Sequence, residues 1–248
     1  LVTGPNAHNH TTLGDWHFEQ PEENVVTIFE GIKDIGENYN HKGDYFDSGI
    51  KIRNIQDSRI KATAEMSTNY DHVFVVVGDN SLRYTWEGGK SFQKTAGENK
   101  ARSFLGLPGK QLDLVKSIYE KNKNLTVVYV SGKPISEPWI EDNIKSIIHA
   151  WEPGSMGGKS LAKIVFGEIN PSGKMPMTTA RSVGQLTMVY NHKPTNYIHK
   201  YAFEKTKPLY RFGFGLSYTT FSISKPTLST TKWDGKGKVL VEVDVKNT

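Results

Sequence analysis

The stretch Val73-Phe74-Val75-Val76-Val77-Gly78 is a short, unbroken apolar run ended by a glycine. Such a run fits a strand buried on both faces, and it falls far short of the roughly 20 residues needed to cross a bilayer. A long glycine- and charge-rich loop follows from Gly78 to Gly106, Pro108 opens a helix carrying Leu112, Val115 and Ile118, and Leu125 to Val130 supplies another buried strand. Strand, helix and strand in short succession predict a largely parallel sheet with helices on its faces. Sheets of this kind place their binding loops beyond the carboxyl ends of the strands, where the loop after Val77 falls.

The same texture extends outward. Upstream, Asn24 to Gly36 has Val25, Ile28, Phe29 and Ile32 at helical spacing with Gly36 as a stop, and Asp57 to Tyr70 reads as a second helix. Downstream, Pro134 to Trp139 reads as a turn, Ile144 to Trp151 as a short strand and Ser160 to Gly167 as a helix closed by its glycine. Beyond residue 180 the composition changes to Tyr, Gly, Thr and Pro without helical period. There Phe221-Ser222-Ile223 and Val239 to Val245 alternate like strands around the glycine-rich turn Lys232 to Lys238. Both ends read as cut, so the chain is expected to be a piece of a larger protein.

At 248 residues with 36% hydrophobic and 23% charged content, the composition is that of a globular protein with one large domain, or one domain and a fragment. The net charge of +5 comes from scattered Lys and Arg, which argues against a nucleic-acid surface. The absence of cysteine excludes disulfides, thiolate zinc sites and cysteine nucleophiles. Of eight His, only His8 and His10 stand close together, without an HExxH pattern, so no catalytic metal and no cofactor are expected.

One motif misleads. Gly154-Ser155-Met156-Gly157-Gly158-Lys159-Ser160 ends like a phosphate-binding loop, but Pro153 stands where that loop's first glycine should and supplies no backbone N–H. A second motif carries chemistry: Gly97-Glu98-Asn99-Lys100-Ala101-Arg102 sets a carboxylate four residues before a guanidinium on the loop after the buried strand. On that same loop, Trp86 and Glu87 add an aromatic ring and a second carboxylate.

Several blocks, taken in order, resemble the second half of glycoside hydrolase family 3, the β-glucosidases and related exo-acting enzymes. They are Gly4-Pro5-Asn6-Ala7 with Leu13-Gly14-Asp15-Trp16, Glu98 to Gln111, Ala150 to Gly154, Phe166 to Lys174, Tyr190 to Lys193, and Tyr210 to Phe221. The resemblance implies an (α/β)6 sandwich over residues 1–215, then the first strands of a fibronectin-type-III-like β-sandwich over 216–248. It also implies a partner absent from this chain: an N-terminal (β/α)8 barrel carrying the Asp nucleophile.

A retaining glycosidase uses two carboxylates about 5–5.5 Å apart, one attacking the anomeric carbon and one protonating the departing oxygen. The resemblance assigns the second role, general acid/base, to Glu98, with Glu87 as second choice and Trp86 and Arg102 as substrate-binding residues. The implied substrate is a β-linked oligosaccharide or glucoside, the implied place periplasmic or extracellular, and the isolated chain is expected to be inactive. The alternative is a non-catalytic carbohydrate-binding or accessory module of the same family. It is motivated by Ala101, where the family often has Asp, and Phe104, where it often has an acidic or polar residue.

Overall fold

The computed structural model describes residues 1–18, 20–48, 59–82, 94–186, 188–191 and 201–248. Its centre is a five-stranded, wholly parallel sheet formed by β1 (Val2–Thr3), β2 (Tyr45–Phe46), β3 (Val73–Gly78), β4 (Leu125–Val130) and β5 (Ser146–Trp151), in the order β2-β1-β3-β4-β5. The valine run becomes β3 because period-two alternation lets one strand feed two cores. Val73, Val75 and Val77 pack with Leu114, Val115 and Ile118, whereas Val76 packs with Ile28, Ile32 and Leu161. These β3 valines are fully buried, each contributing about 1.5–3 kcal/mol of burial.

Helices cover both faces. On one lie α2 (Ile60–Ser67) and α3 (Gln111–Lys121), and on the other α1 (Ile28–Glu37) and α5 (Gly157–Val165). The expected helix from Asn24 starts later, because Thr27 and Glu30 form a reciprocal capping box that fixes its first turn at Ile28. Pro108 does not open α3; a turn through Gly109 (φ 66°) intervenes and the helix begins at Gln111. The stretch expected to be only a turn before Trp139 instead enters a short helix, α4 (Pro138–Asn143), with proline at its first position.

The deceptive glycine-lysine-serine motif has a packing role. A Cβ on Gly158 would run into the Thr27 carbonyl, and one on Gly31 into the Gly158 carbonyl, so glycine is what lets α1 and α5 touch backbone to backbone. Lys159 points to solvent.

After α5 the blocks Phe166 to Lys174 and Tyr210 to Phe221 meet. Asn170 Oδ1 accepts from the Tyr218 N–H at 2.7 Å, and the Ser217 hydroxyl donates to the Pro171 carbonyl at 2.5 Å. The chain closes in short antiparallel strands: β6 (Phe221–Ile223) pairs with β9 (Val245–Asn247), and β7 (Thr227–Leu228) with β8 (Val241–Glu242). The run expected as one strand, Val239 to Val245, is thus divided between two partners. The Lys232 to Lys238 turn joins β7 to β8, and Trp233 Nε1 donates to the Lys236 carbonyl at 2.8 Å. These strands expose their apolar residues, Ile223 at 68% among them.

Candidate functional site

The chain runs from β1 outward to β2, then returns across β1 to β3, β4 and β5, so the strand order reverses between β1 and β3. A crevice opens beyond the carboxyl ends at such a reversal. Here it is floored by the loop after β1 and the loop after β3. Asn6 ties them together, its side-chain amide donating to the Asp79 carbonyl at 2.9 Å and to the Thr11 hydroxyl at 3.0 Å.

Asp79, the first residue after β3, is the hub of the floor. Its side chain is fully buried, and Oδ1 accepts from the Thr95 hydroxyl at 2.8 Å. Its Oδ2 accepts from the Ser131 hydroxyl at 2.8 Å and from Arg102 Nη2 at 3.1 Å. The Arg102 side chain is only 6% exposed, donates also to the Gly106 carbonyl, and lies over the Phe104 ring at 4.9 Å. Burial lowers the Arg102 pKa against the opposing pull of Asp79 and Glu137. Burial likewise lowers that of Lys133 beside the pair.

Two further clips hold the floor. Gln111, fully buried at the start of α3, donates from Nε2 to the Gly78 carbonyl at 2.9 Å and accepts the Gly78 N–H on Oε1 at 2.8 Å. Glu137 accepts the Leu107 N–H at 2.6 Å; burial raises its pKa, with that hydrogen bond, Lys116 and Arg102 pulling the other way. Farther along the rim, Glu152 follows the left-handed Trp151 (φ 58°) and accepts from the Ser81 hydroxyl.

Above this floor stands Glu98, solvent-exposed, in a turn closed by the Lys100 N–H donating to the Gly97 carbonyl at 3.1 Å. Gly97 (φ 94°) and Asn99 (φ 58°) adopt left-handed conformations that their residue types tolerate. The Glu98 N–H donates to Asp15 Oδ2 at 2.6 Å, and Lys94 Nζ donates to Asp15 Oδ1 at 2.8 Å. Of the Leu13 to Trp16 block, Asp15 thus reaches across the crevice, while Trp16 is 76% exposed.

The structure therefore carries Glu98 and Arg102 on one loop but exposes the first and buries the second. Trp86, Glu87 and His192 lie outside the described residues; on either side of the first two, Asn80 and Thr95 are joined by the Thr95 N–H to the Asn80 carbonyl at 2.7 Å. Sequence reasoning passed over Asp79, Thr95, Ser131 and Glu137. Asp79 alone had a signal, its place directly after a buried parallel strand. Among the described residues no group of three or more His, Asp or Glu could hold a metal, and no helix is long and apolar enough to cross a membrane.

Comparison with known proteins agrees with this fold. The glycosyl hydrolase family 3 C-terminal domain matches over residues 1–218. The chain is 34% identical to a β-xylosidase of Formosa agariphila, across 100% of this chain and 33% of that protein. It is 31% identical to a periplasmic β-glucosidase of Salmonella typhimurium, across 100% of this chain and 34% of that protein. Among solved structures, a β-glucosidase from Erythrobacter marinus superposes with a TM-score of 0.80 at 28% identity, over 100% of this chain and 34% of that one. A β-glucosidase from Listeria innocua, solved with isofagomine, shares the fold with a TM-score of 0.81 at 22% identity, over 99% of this chain and 33% of that one. The chain thus spans about a third of the length of the relatives it matches.

Proposed function

The chain belongs to glycosyl hydrolase family 3 as its C-terminal domain, and from that premise we propose that it is the non-barrel half of a retaining, exo-acting β-glycosidase. The activity is that of a β-glucosidase, releasing terminal β-linked sugars, with Glu98 as the general acid/base. The observation that carries this reading is the display of Glu98: an exposed carboxyl on a turn whose base is pinned by buried charge. A general acid has to reach the departing oxygen with its own position fixed, and this arrangement meets both needs.

The nucleophile is an Asp on a (β/α)8 barrel that pairs with this domain, and the terminal sugar is read there. Trp86 stacks on the sugar face, Glu87 is the reserve acid, and Arg102 serves the site through the loop it anchors. Ala101 removes the family's frequent Asp before the arginine, but Arg102 has Asp79 as its carboxylate partner. That pairing favours the enzyme over an accessory module, because the loop is held without the missing Asp. Strands β6 to β9 begin the fibronectin-type-III-like domain. The periplasmic relative supports a place outside the cytoplasm, periplasmic or extracellular.

The test is to join this chain to a family barrel and compare alkyl with nitrophenyl β-glucosides. Glu98→Gln is expected to lower kcat on the alkyl substrate by about 10²–10⁴-fold and far less on the nitrophenyl one, whose leaving group needs little protonation. Equal, undiminished rates in Glu98→Gln with a collapse in Glu87→Gln would move the role to Glu87. No turnover in the joined protein would favour the accessory module.

A further inference from the structure

We infer that Asp15 is the positioning residue of the proton donor, locking the Glu98 turn to the opposite wall of the crevice. The inference rests on the assignment of Glu98 as general acid/base. Asp15 comes from the loop after β1, reached through a short 3-10 turn (His10–Leu13) and Gly14 in a left-handed conformation (φ 80°). Glu98 and Lys94 come from the loop after β3, so the Asp15 carboxylate spans the strand-order reversal.

Three features make this contact more than incidental. The Asp15 side chain is 8% exposed and the Lys94 side chain 13%, so the pair is shielded where exposed pairs contribute little. The 2.6 Å bond to the Glu98 N–H is charge-assisted and short. It acts on the backbone atom next to the Glu98 Cα, fixing the point from which the catalytic side chain swings. The fit is also tight from the other side: a Cβ on Gly97 would lie 2.6 Å from Asp15 Oδ2 and 2.8 Å from Lys94 Cε.

Asp15 touches no reacting atom in this account, so its loss should act on the placement of the acid. A misplacement of about 1 Å can lower a rate by roughly 10²-fold. In this chain alone, exchange of the Glu98 amide proton measured by NMR should speed up by about 10–100-fold in Asp15→Ala, and less in Asp15→Asn, which keeps an oxygen acceptor. Gly97→Ala should speed it up from the loop side. Unchanged exchange in Asp15→Ala overturns the proposal.

In the chain joined to a barrel, Asp15→Ala should lower kcat on alkyl glucosides by about 10–100-fold with KM nearly constant, and Asp15→Asn should recover part of the loss. Nitrophenyl glucosides should be nearly unaffected. A loss equal for both leaving groups would mark a merely structural residue and overturn the proposal. Glu98→Gln run alongside separates the two ideas. If Glu98→Gln is crippled selectively and Asp15→Ala is not, Asp15 alone is wrong; if Glu98→Gln keeps full alkyl activity, the assignment of Glu98 fails and the catalytic role of Asp15 with it.

Discussion

The loop after β3 has, in its described part, a buried base and an exposed tip, and their principal charges stand four positions apart. At the base Arg102 is withdrawn from solvent and held by Asp79, with Thr95 and Ser131 completing the carboxylate's partners. At the tip Glu98 faces solvent, tied to the protein through its backbone. The lesson is a division of labour. Fixing a long loop needs low-dielectric contacts beneath it, whereas presenting an acid to a substrate, the role proposed for Glu98, needs an open face above. Neither charge could do the other's work where it stands.

The sharpest way to break the comparison is to remove the base. Arg102→Ala leaves a buried carboxylate without its cation and should destabilise the chain by about 3–5 kcal/mol, read by chemical denaturation. Replacing both partners, with Asp79→Leu added to Arg102→Met, should cost less than the two single changes together, because no orphaned charge remains. Additive losses would show that the pair is not the unit that anchors the loop.

A half-buried titratable group without an ion partner sharpens it next. His149 on β5 lies between the rings of Tyr129 and Tyr210, each at 5.0 Å, and its Nε2 is buried without a hydrogen-bond partner. Burial lowers its pKa from 6.5 to about 4. Between those values the unfolded chain binds a proton that the folded chain refuses, so stability is present above pH 6.5 and lost as pH falls towards 4. The loss from this group should approach about 3 kcal/mol. His149→Phe should flatten most of that slope, leaving the smaller part from His10 and His72, whose pKa values burial also lowers.

Gln111 tests the base by a neutral route. Gln111→Ala removes both bonds of the clip to Gly78 and leaves that peptide's buried N–H and carbonyl facing a gap, for an expected loss of about 1–3 kcal/mol. Gln111→Glu, which keeps an acceptor for the Gly78 N–H but loses the donor, should also destabilise. A neutral outcome for both would remove the clip from the account of how α3 holds the loop.

These residues also show where the sequence was readable. The β3 and β4 valines announced a doubly covered parallel sheet, because a buried strand writes its environment into consecutive residues. The two-residue strand β2 wrote nothing comparable and went unnoticed. Val239 to Val245 alternates as one strand should, yet it serves two partners, since alternation records which face is apolar and not which strand is adjacent. The loop that carries Glu98 was legible through its glycines and charges. The connection of Glu98 to Asp15 was not, because the two are 83 residues apart and meet only where the strand order reverses.

The smallest expected effect on stability is the most telling for the tip. Glu98→Gln alters an exposed side chain and leaves its backbone N–H free to keep donating to Asp15, so unfolding free energy should stay within about 0.5 kcal/mol of the parent. The same change is the one expected to cripple proton delivery in the chain joined to a barrel. A residue whose loss barely registers in denaturation but abolishes turnover on poor leaving groups is held for chemistry and not for the fold. Should Glu98→Gln instead destabilise the chain as strongly as Arg102→Ala, the tip would belong to the base, and the division between them would disappear.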